Sequence, residues 1–145
     1  MTTARELFQQ FTESLQNPYV ATEWCLALFA DDAVFEFPYA PTLGLPARYE
    51  GKEQIGALLE MIRTAIPPYL VSHVVLHDMK SEAELFVEYR SDARVAQTGA
   101  RYSQDYASYL VAENGKIKVL REYFNAISSA RAILPGGLES VPAEK

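Results

Sequence analysis

Glu122 is the residue whose type and setting most directly suggest chemistry. It lies in a segment with the alternation typical of a β-strand, which places Leu120, Glu122 and Phe124 on one face. A carboxyl between two large apolar neighbours is either solvated at a sheet edge or desolvated in a cavity, and desolvation raises its pKa toward the range useful for proton transfer. Glu122 is therefore a candidate general acid/base. The alternative is a structural carboxylate paired with Arg90 or Arg101.

The preceding strand adds polar side chains that could bind a ligand. Asn114-Gly115 predicts a tight hairpin between the two strands, because both residues tolerate a positive φ. Alternation then gives one inward-facing set on the earlier strand, to which aromatic residues from elsewhere in the chain can be added. The predicted ligand-binding residues are Tyr102, Gln104, Tyr106, Ser108, Phe35, Phe37, Tyr39, Trp24 and Phe124. A β-bulge would exchange the two faces of the strand.

The sequence predicts no metal site. His73 and His77 are four residues apart on a predicted strand and so share a face, but no third ligand stands at a suitable position. Cys25 is the only cysteine, which excludes an internal disulfide and a thiolate cluster. We interpret Cys25 as a small buried helix residue.

Helical spacing comes first in the chain and β patterns follow. The first helix carries Leu7, Phe8, Phe11 and Leu15 on one face, and a second begins at Asn17-Pro18 and ends near 30–32. A short strand at 34–37 and a loop rich in Pro and Gly lead to a third helix opened by Gly51. The remaining runs predict consecutive antiparallel strands at about 69–79, 83–96, 100–112 and 116–126.

This order predicts an α+β fold: a cone-shaped, strongly curved antiparallel (mixed) sheet with three N-terminal or inserted helices that enclose a pocket. The length of 145 residues fits a single domain, 1–145. Within it, the Pro- and Gly-containing tail 135–145 is expected to wrap the surface or reach a neighbouring subunit.

Composition and charge limit the kinds of partner that the protein is expected to bind. The net charge is −6 and no cluster of Lys and Arg is present, so neither nucleic acid nor an anionic membrane is an expected partner. No apolar run approaches the ~20 residues needed to span a bilayer, and the first residues lack an apolar signal core. We expect a cytoplasmic location.

Several motifs resemble the SnoaL-like branch of the nuclear transport factor two-like superfamily, over nearly the whole chain. They are Leu28-Phe29-Ala30-Asp31-Asp32-Ala33-Val34, Tyr49-Glu50-Gly51-Lys52, Gly115-Lys116-Ile117 and Arg121-Glu122-Tyr123. The superfamily includes ketosteroid isomerase, limonene epoxide hydrolase, polyketide cyclases and scytalone dehydratase. The nearest subgroup is the phenazine-biosynthesis A/B-like proteins, on a pattern of Tyr102, Tyr106, Arg121-Glu122, Asn125 and Arg131-Ala132.

The resemblance implies that Glu122 is an acid/base group facing the ligand. It also has departures: Ala126 stands where the subgroup usually has Pro, and Phe11, Phe37 and Ser108 stand near the positions of the ketosteroid isomerase catalytic tyrosine and aspartates. Steroid enolisation by that set of groups is therefore not expected.

Three functions follow as hypotheses. The first is an isomerase, cyclase or lyase that needs no cofactor and moves a proton on a small cyclic or polyketide-like substrate, with Glu122 as the proton carrier. The second is a noncatalytic ligand-binding or carrier protein that uses the same aromatic pocket. The third is a dimeric scaffold whose cavity is filled by side chains. The resemblance also implies a homodimer through the convex sheet face, where Arg121 and Tyr123 would lie.

Overall fold

The computed structural model describes residues 2–144 of the chain. Four α-helices and six strands follow one another as α1 (Ala4–Gln16), α2 (Thr22–Leu26), β1 (Phe29–Glu36), β2 (Arg48–Glu50), α3 (Gly51–Ala65), β3 (Leu70–Asp78), β4 (Glu84–Arg94), β5 (Arg101–Glu113), β6 (Lys116–Phe124) and α4 (Ala126–Ile133). Two short 3₁₀-helices, Ala40–Leu43 and Gly137–Ser140, lie in the connections after β1 and α4.

The strands form one mixed sheet in the order β2-β1-β6-β5-β4-β3. β1 runs parallel to β6, and the other neighbouring pairs are antiparallel. Along β4 and β5 every second residue is buried, as expected for a sheet with one face covered by helices. The α+β prediction is confirmed.

The helices bury apolar stripes against one face of this sheet. In α1 the predicted face of Leu7, Phe8, Phe11 and Leu15 is buried, and a capping box between Thr3 and Glu6 fixes where the helix begins. In α3 the predicted third helix buries Ile55, Leu58 and Leu59. The core therefore lies between these two helices and the sheet.

The second helix is shorter than predicted. It begins at Thr22 because residues 18–20 form a turn, in which the Asn17 side chain accepts the backbone N–H of Tyr19 and so does not cap a helix. Phe29 already belongs to β1, so Asp31-Asp32 lie within a strand and do not end the helix. Cys25 is buried in α2 as predicted, and burial raises the pKa of its thiol to about 12.

One strand and one α-helix were missing from the prediction. β2 is only three residues long and lies in the segment read as a loop, where it pairs with β1. α4 begins immediately after β6, with Asn125 as its N-cap accepting from the backbone N–H groups of Ile127 and Ser128. Beyond α4 the tail returns along the surface, and a Cβ on Gly44 would lie 3.3 Å from the side chain of Pro142.

The two histidines do not share a regular strand face. The register of β3 with β4 shifts between Ser72 and Val75, and His73 has a positive φ of 54°. Both imidazoles are exposed, and His77 Nε2 lies 2.9 Å from Glu88 Oε2. Among residues 2–144, no three His, Cys, Asp or Glu side chains are grouped to hold a metal ion. Within the same range, no helix has both the length and the apolar character to cross a membrane.

Candidate functional site

A cavity of about 210 Å³ lies between the helix-covered face of the sheet and the helices. Its wall is mainly apolar, with aliphatic side chains from α1, α3, the first 3₁₀-helix and α4. The aromatic residues of the wall are Phe11, Phe35, Phe37, Tyr49, Tyr69 and Phe124, joined by Tyr102 and Tyr106 of β5. Exposed apolar side chains of Leu45, Met61 and Ile133 also line it and mark its mouth. The cavity is open, which removes the hypothesis of a cone filled by side chains.

Glu122 is the one charged residue among the described residues that line the cavity. Only 6% of it is exposed, and burial raises the pKa of its carboxyl from 4.5 to about 7. The Tyr89 hydroxyl donates a hydrogen bond to Oε1, which opposes this rise without cancelling it. In the part of the chain that the structure describes, Oε2 has no hydrogen-bond partner. The carboxyl thus has one fixed donor and one oxygen left for a ligand.

The alternative of a carboxylate paired with arginine is wrong. Arg90 lies 3.5 Å from Asp105, and Arg101 lies 3.6 Å from Asp92. Asp105 faces away from the cavity because it alternates with the buried residues of β5. Arg90 and Arg101 therefore pair with aspartates and not with the inward-facing Glu122.

Tyr89 is the functional neighbour that sequence reasoning missed. It is buried on β4 directly opposite Tyr106 of β5, and the two rings stack with centroids 4.8 Å apart. Burial raises the pKa of Tyr89 well above 10, so the hydroxyl stays protonated and remains a donor. The alternation of Leu85, Val87 and Tyr89 along β4 was the signal that could have found it.

Two tyrosine hydroxyls form a pair in the wall of the cavity. The hydroxyls of Tyr102 and Tyr106 lie 3.0 Å apart, and Ser91 donates weakly to Tyr106 over 3.5 Å. Only one of the two tyrosine protons can lie between these oxygens. With Tyr106 donating to Tyr102, the Tyr102 proton has no acceptor among residues 2–144, because the neighbouring Gln104 nitrogen is itself a donor. The pair can therefore offer one O–H donor to a ligand, and the Tyr106 pKa is raised well above 10 by burial.

Gln104 is buried but does not line the cavity. Its amide pairs with the backbone of Asn125, accepting from N at 2.7 Å and donating to O at 3.0 Å. The same nitrogen lies 3.0 Å from Ser129 Oγ and 3.4 Å from the Tyr102 hydroxyl. Gln104 therefore ties the start of α4 to β5. This fixes the helix that contributes Ser129, Ile133 and Leu134 to the cavity wall.

The other predicted residues divide into three groups. Phe35, Phe37 and Phe124 line the cavity, with the Phe35 and Phe37 rings stacked at 4.5 Å. Ser108 is fully buried opposite Glu122 on β5, behind the wall, and its hydroxyl has no partner among the described residues.

Trp24 and Tyr39 lie outside the cavity, which corrects their prediction as ligand-binding residues. Trp24 is 70% exposed because the short α2 turns only Cys25 into the core. Tyr39 is 51% exposed beyond the end of β1, with its ring 5.6 Å from that of Tyr123.

A second, shallower groove of about 720 Å³ lies between α1, α2 and α3. Its one arginine is already engaged: Arg63 donates to the carbonyl oxygens of Asn17, at 3.0 Å, and Val20, and lies 3.2 Å from the Thr22 hydroxyl. These bonds hold the α1–α2 connection onto α3. We interpret the groove as a structural seam.

A family model described as a SnoaL-like domain matches residues 8–120. The chain belongs to the SnoaL-like family. The mixed sheet with its helices is the fold called NTF2-like or ketosteroid isomerase-like in other proteins of known structure.

Relatives of this SnoaL-like protein include an uncharacterised PhzA/B-like protein of Pseudomonas aeruginosa, which is 30% identical over 140 residues and matches 94% of this chain and 93% of its own. A candidate isomerase of Bacillus subtilis superposes with a TM-score of 0.81 at 29% identity, covering 92% of this chain and 93% of its own. A phenazine biosynthesis-related protein of Pseudomonas aeruginosa gives 0.76 at 17% identity, covering 98% and 88%. The last value shows a shared fold alone. The predicted resemblance is confirmed, and the SnoaL-like fold here encloses an apolar cavity with one buried carboxyl.

Proposed function

We propose that this SnoaL-like protein binds a small ring-sized molecule in the cavity and that Glu122 exchanges a proton with it, as in an isomerase or cyclase. The observation that carries the proposal is the position of Glu122: a buried carboxyl in an apolar wall, with one oxygen held by Tyr89 and the other free. Because its pKa is about 7, both the acid and the base form are populated near neutral pH.

The size of the cavity supports a small substrate. A volume of about 210 Å³ corresponds to roughly seven waters at their liquid volume of ~30 Å³ each. This is enough for one substituted ring. The apolar wall would exclude water from such a ring and strengthen electrostatic interactions at the reacting atoms.

The hydroxyl pair of Tyr102 and Tyr106 supports a role in binding oxygen. The one O–H that the pair can offer would bind a carbonyl oxygen of the substrate and stabilise the negative charge that forms when a neighbouring carbon loses its proton. Glu122 as carboxylate would take that proton, and as carboxylic acid would return it to a second carbon or to the oxygen. These two proton transfers shift a double bond within the substrate without net oxidation or reduction of it.

Deuterium exchange tests the proposal. Wild-type protein and the Glu122→Gln variant are incubated in D₂O with a panel of single-ring ketones, and incorporation next to the carbonyl is followed by NMR. We expect wild type to accelerate exchange and Glu122→Gln to lose the acceleration while still binding the ketones. Binding without acceleration by wild type would instead favour the noncatalytic carrier.

We also infer a homodimer through the sheet face that the helices leave uncovered. That face carries half-buried residues linked by short contacts, including Arg121 with Glu36 at 3.3 Å and Arg121 over the Tyr109 ring at 5.7 Å. Sedimentation velocity of wild type and of a Tyr109→Glu variant measures this directly. The proposal predicts a dimer that the variant dissociates; a wild-type monomer at micromolar concentration would refute it.

A further inference from the structure

Among the described residues, the cavity wall carries one acidic side chain and no basic one. Among the described residues of its wall there is no Lys, Arg or His to accompany the single carboxyl of Glu122. A ligand anion would therefore be buried beside a carboxyl with no opposite charge, which is costly in an apolar site. The wall thus favours ligands that are neutral or positively charged.

The hydrogen bonds of Glu122 favour a positive charge. Tyr89 is a donor, and a donor to a carboxyl stabilises its ionised form. Oε2 lacks any such partner in the described chain. A ligand N–H⁺ at Oε2 would complete the carboxylate with a charge-assisted hydrogen bond, which is stronger than one between neutral groups.

Aromatic rings line the same cavity as this carboxyl. Phe37 stacks on Phe35 and meets two further rings edge to face, with centroids 5.9 Å away for Tyr49 and 6.4 Å for Phe124. Ring faces attract organic cations, and aromatic cages are a recurrent means of binding ammonium groups. The cavity therefore combines the two features that recognise an amine.

We propose that the ligand of this cavity carries a basic nitrogen, held as an ammonium between Oε2 of Glu122 and the aromatic rings of Phe37, Tyr49 and Phe124. This rests on the proposed function, because it places the ligand at Glu122, whose proton passes to the nitrogen when the amine enters neutral, and it adds the chemical class of that ligand.

The proton balance of binding is simple. When Glu122 is protonated, its O–H bond breaks and the proton leaves to solvent as the ammonium enters, or passes to the nitrogen if the amine enters neutral. No bond to carbon changes. The other titratable groups that face Glu122 are Tyr89 of β4, Tyr106 of β5 and Tyr69 before β3, and burial raises the pKa of each well above 10. They stay neutral, so the pH dependence belongs to Glu122.

Isothermal titration calorimetry with three probes of one shape tests the proposal: cyclohexylamine, cyclohexanol and cyclohexanecarboxylate. At pH 8 we expect cyclohexylamine to bind at least about tenfold more tightly than cyclohexanol, in line with a cation among aromatic rings beside a carboxylate, and the carboxylate not to bind. The affinity for the amine should rise from pH 5 to about pH 8 and then level, whereas that for cyclohexanol should not change.

Two variants complete the test. Glu122→Gln should lower the affinity for cyclohexylamine at least about tenfold and leave that for cyclohexanol unchanged. Glu88→Gln is the matched control, since Glu88 lies exposed on β4 and contacts His77; it should change neither. Equal affinities of wild type for amine and alcohol, no binding of the amine, or an unchanged amine affinity in Glu122→Gln would overturn the proposal. Ketone exchange that depends on Glu122 would survive any of these results, which separates this proposal from the proposed function.

Discussion

Replacing Glu122 with glutamine should make the protein more stable above neutral pH. Glutamine keeps the shape of the protonated carboxyl and can still accept the hydrogen bond from Tyr89, but it cannot ionise. In wild type the folded pKa is about 7 against an ordinary 4.5, so raising the pH forces a charge into the apolar wall. The unfolded chain releases the same proton more easily, and unfolding is therefore favoured as the pH rises.

The magnitude follows from the difference between the two pKa values. One pKa unit is worth ~1.4 kcal/mol, so ionisation of Glu122 costs the folded state about 3 kcal/mol. The stabilising effect of the neutral carboxyl is fully present below pH 4.5 and is lost as the pH rises through about 7. The advantage of Glu122→Gln over wild type should therefore grow from pH 4.5 and reach its limit near pH 8.

Urea denaturation of both proteins between pH 4.5 and 8 measures this effect. The difference between their free energies of unfolding isolates Glu122, because the exposed carboxylates and both histidines contribute equally to the two proteins. We expect the difference to change by about 3 kcal/mol over this range. A flat difference, or one in which wild type gains on the variant as the pH rises, would show that Glu122 is solvated or ion-paired and refute the reasoning.

Three further predictions concern Tyr89, Gln104 and Asn125. Tyr89→Phe removes the donor to Oε1, so the Glu122 pKa should rise above its wild-type value in a carboxyl NMR titration; an unchanged pKa would show that this bond is absent in solution. Gln104→Leu leaves the Asn125 backbone unpaired, so the free energy of unfolding should fall by about 1–3 kcal/mol. Amide hydrogen exchange should become faster in α4 than in the sheet, and an equal increase in both would contradict the role of Gln104 in holding α4. Asn125→Ala removes the N-cap and should cost about 1 kcal/mol in urea denaturation, with Asn17→Ala as a non-capping control that costs less.

The face of the long strands could be predicted from the sequence because alternation is fixed by strand geometry. Tyr102, Gln104, Tyr106 and Ser108 are all buried on one face, and Glu122 joins them from β6. The register of β5 with β6 shifts by one residue between Val111 and Ala112, between the turn and these positions. This shift brings Glu122 opposite Ser108, whereas an unshifted hairpin would place it opposite Ala107.

Strand alternation could not predict which of the inward-facing residues reach the cavity. Gln104 and Tyr106 share parity, but only the packing of α4 decides that Gln104 is sequestered while Tyr106 meets the cavity. The prediction that Trp24 binds a ligand was wrong for a related reason, because a five-residue helix exposes most of its side chains whatever their hydrophobicity. By contrast, Asn125 is a typical N-cap residue and could have predicted the start of α4. The helix was not predicted because the last strand was extended to residue 126.

The most direct test of the central claim is the pKa of Glu122, measured by ¹³C carboxyl NMR with the Glu122→Gln variant to assign its signal. A buried, proton-exchanging acid in the cavity predicts a titration near pH 7. A midpoint at or below the ordinary ~4.3 of a glutamate in water would contradict it, because a carboxylate that is solvated or ion-paired within the protein could not serve as the proton carrier at neutral pH.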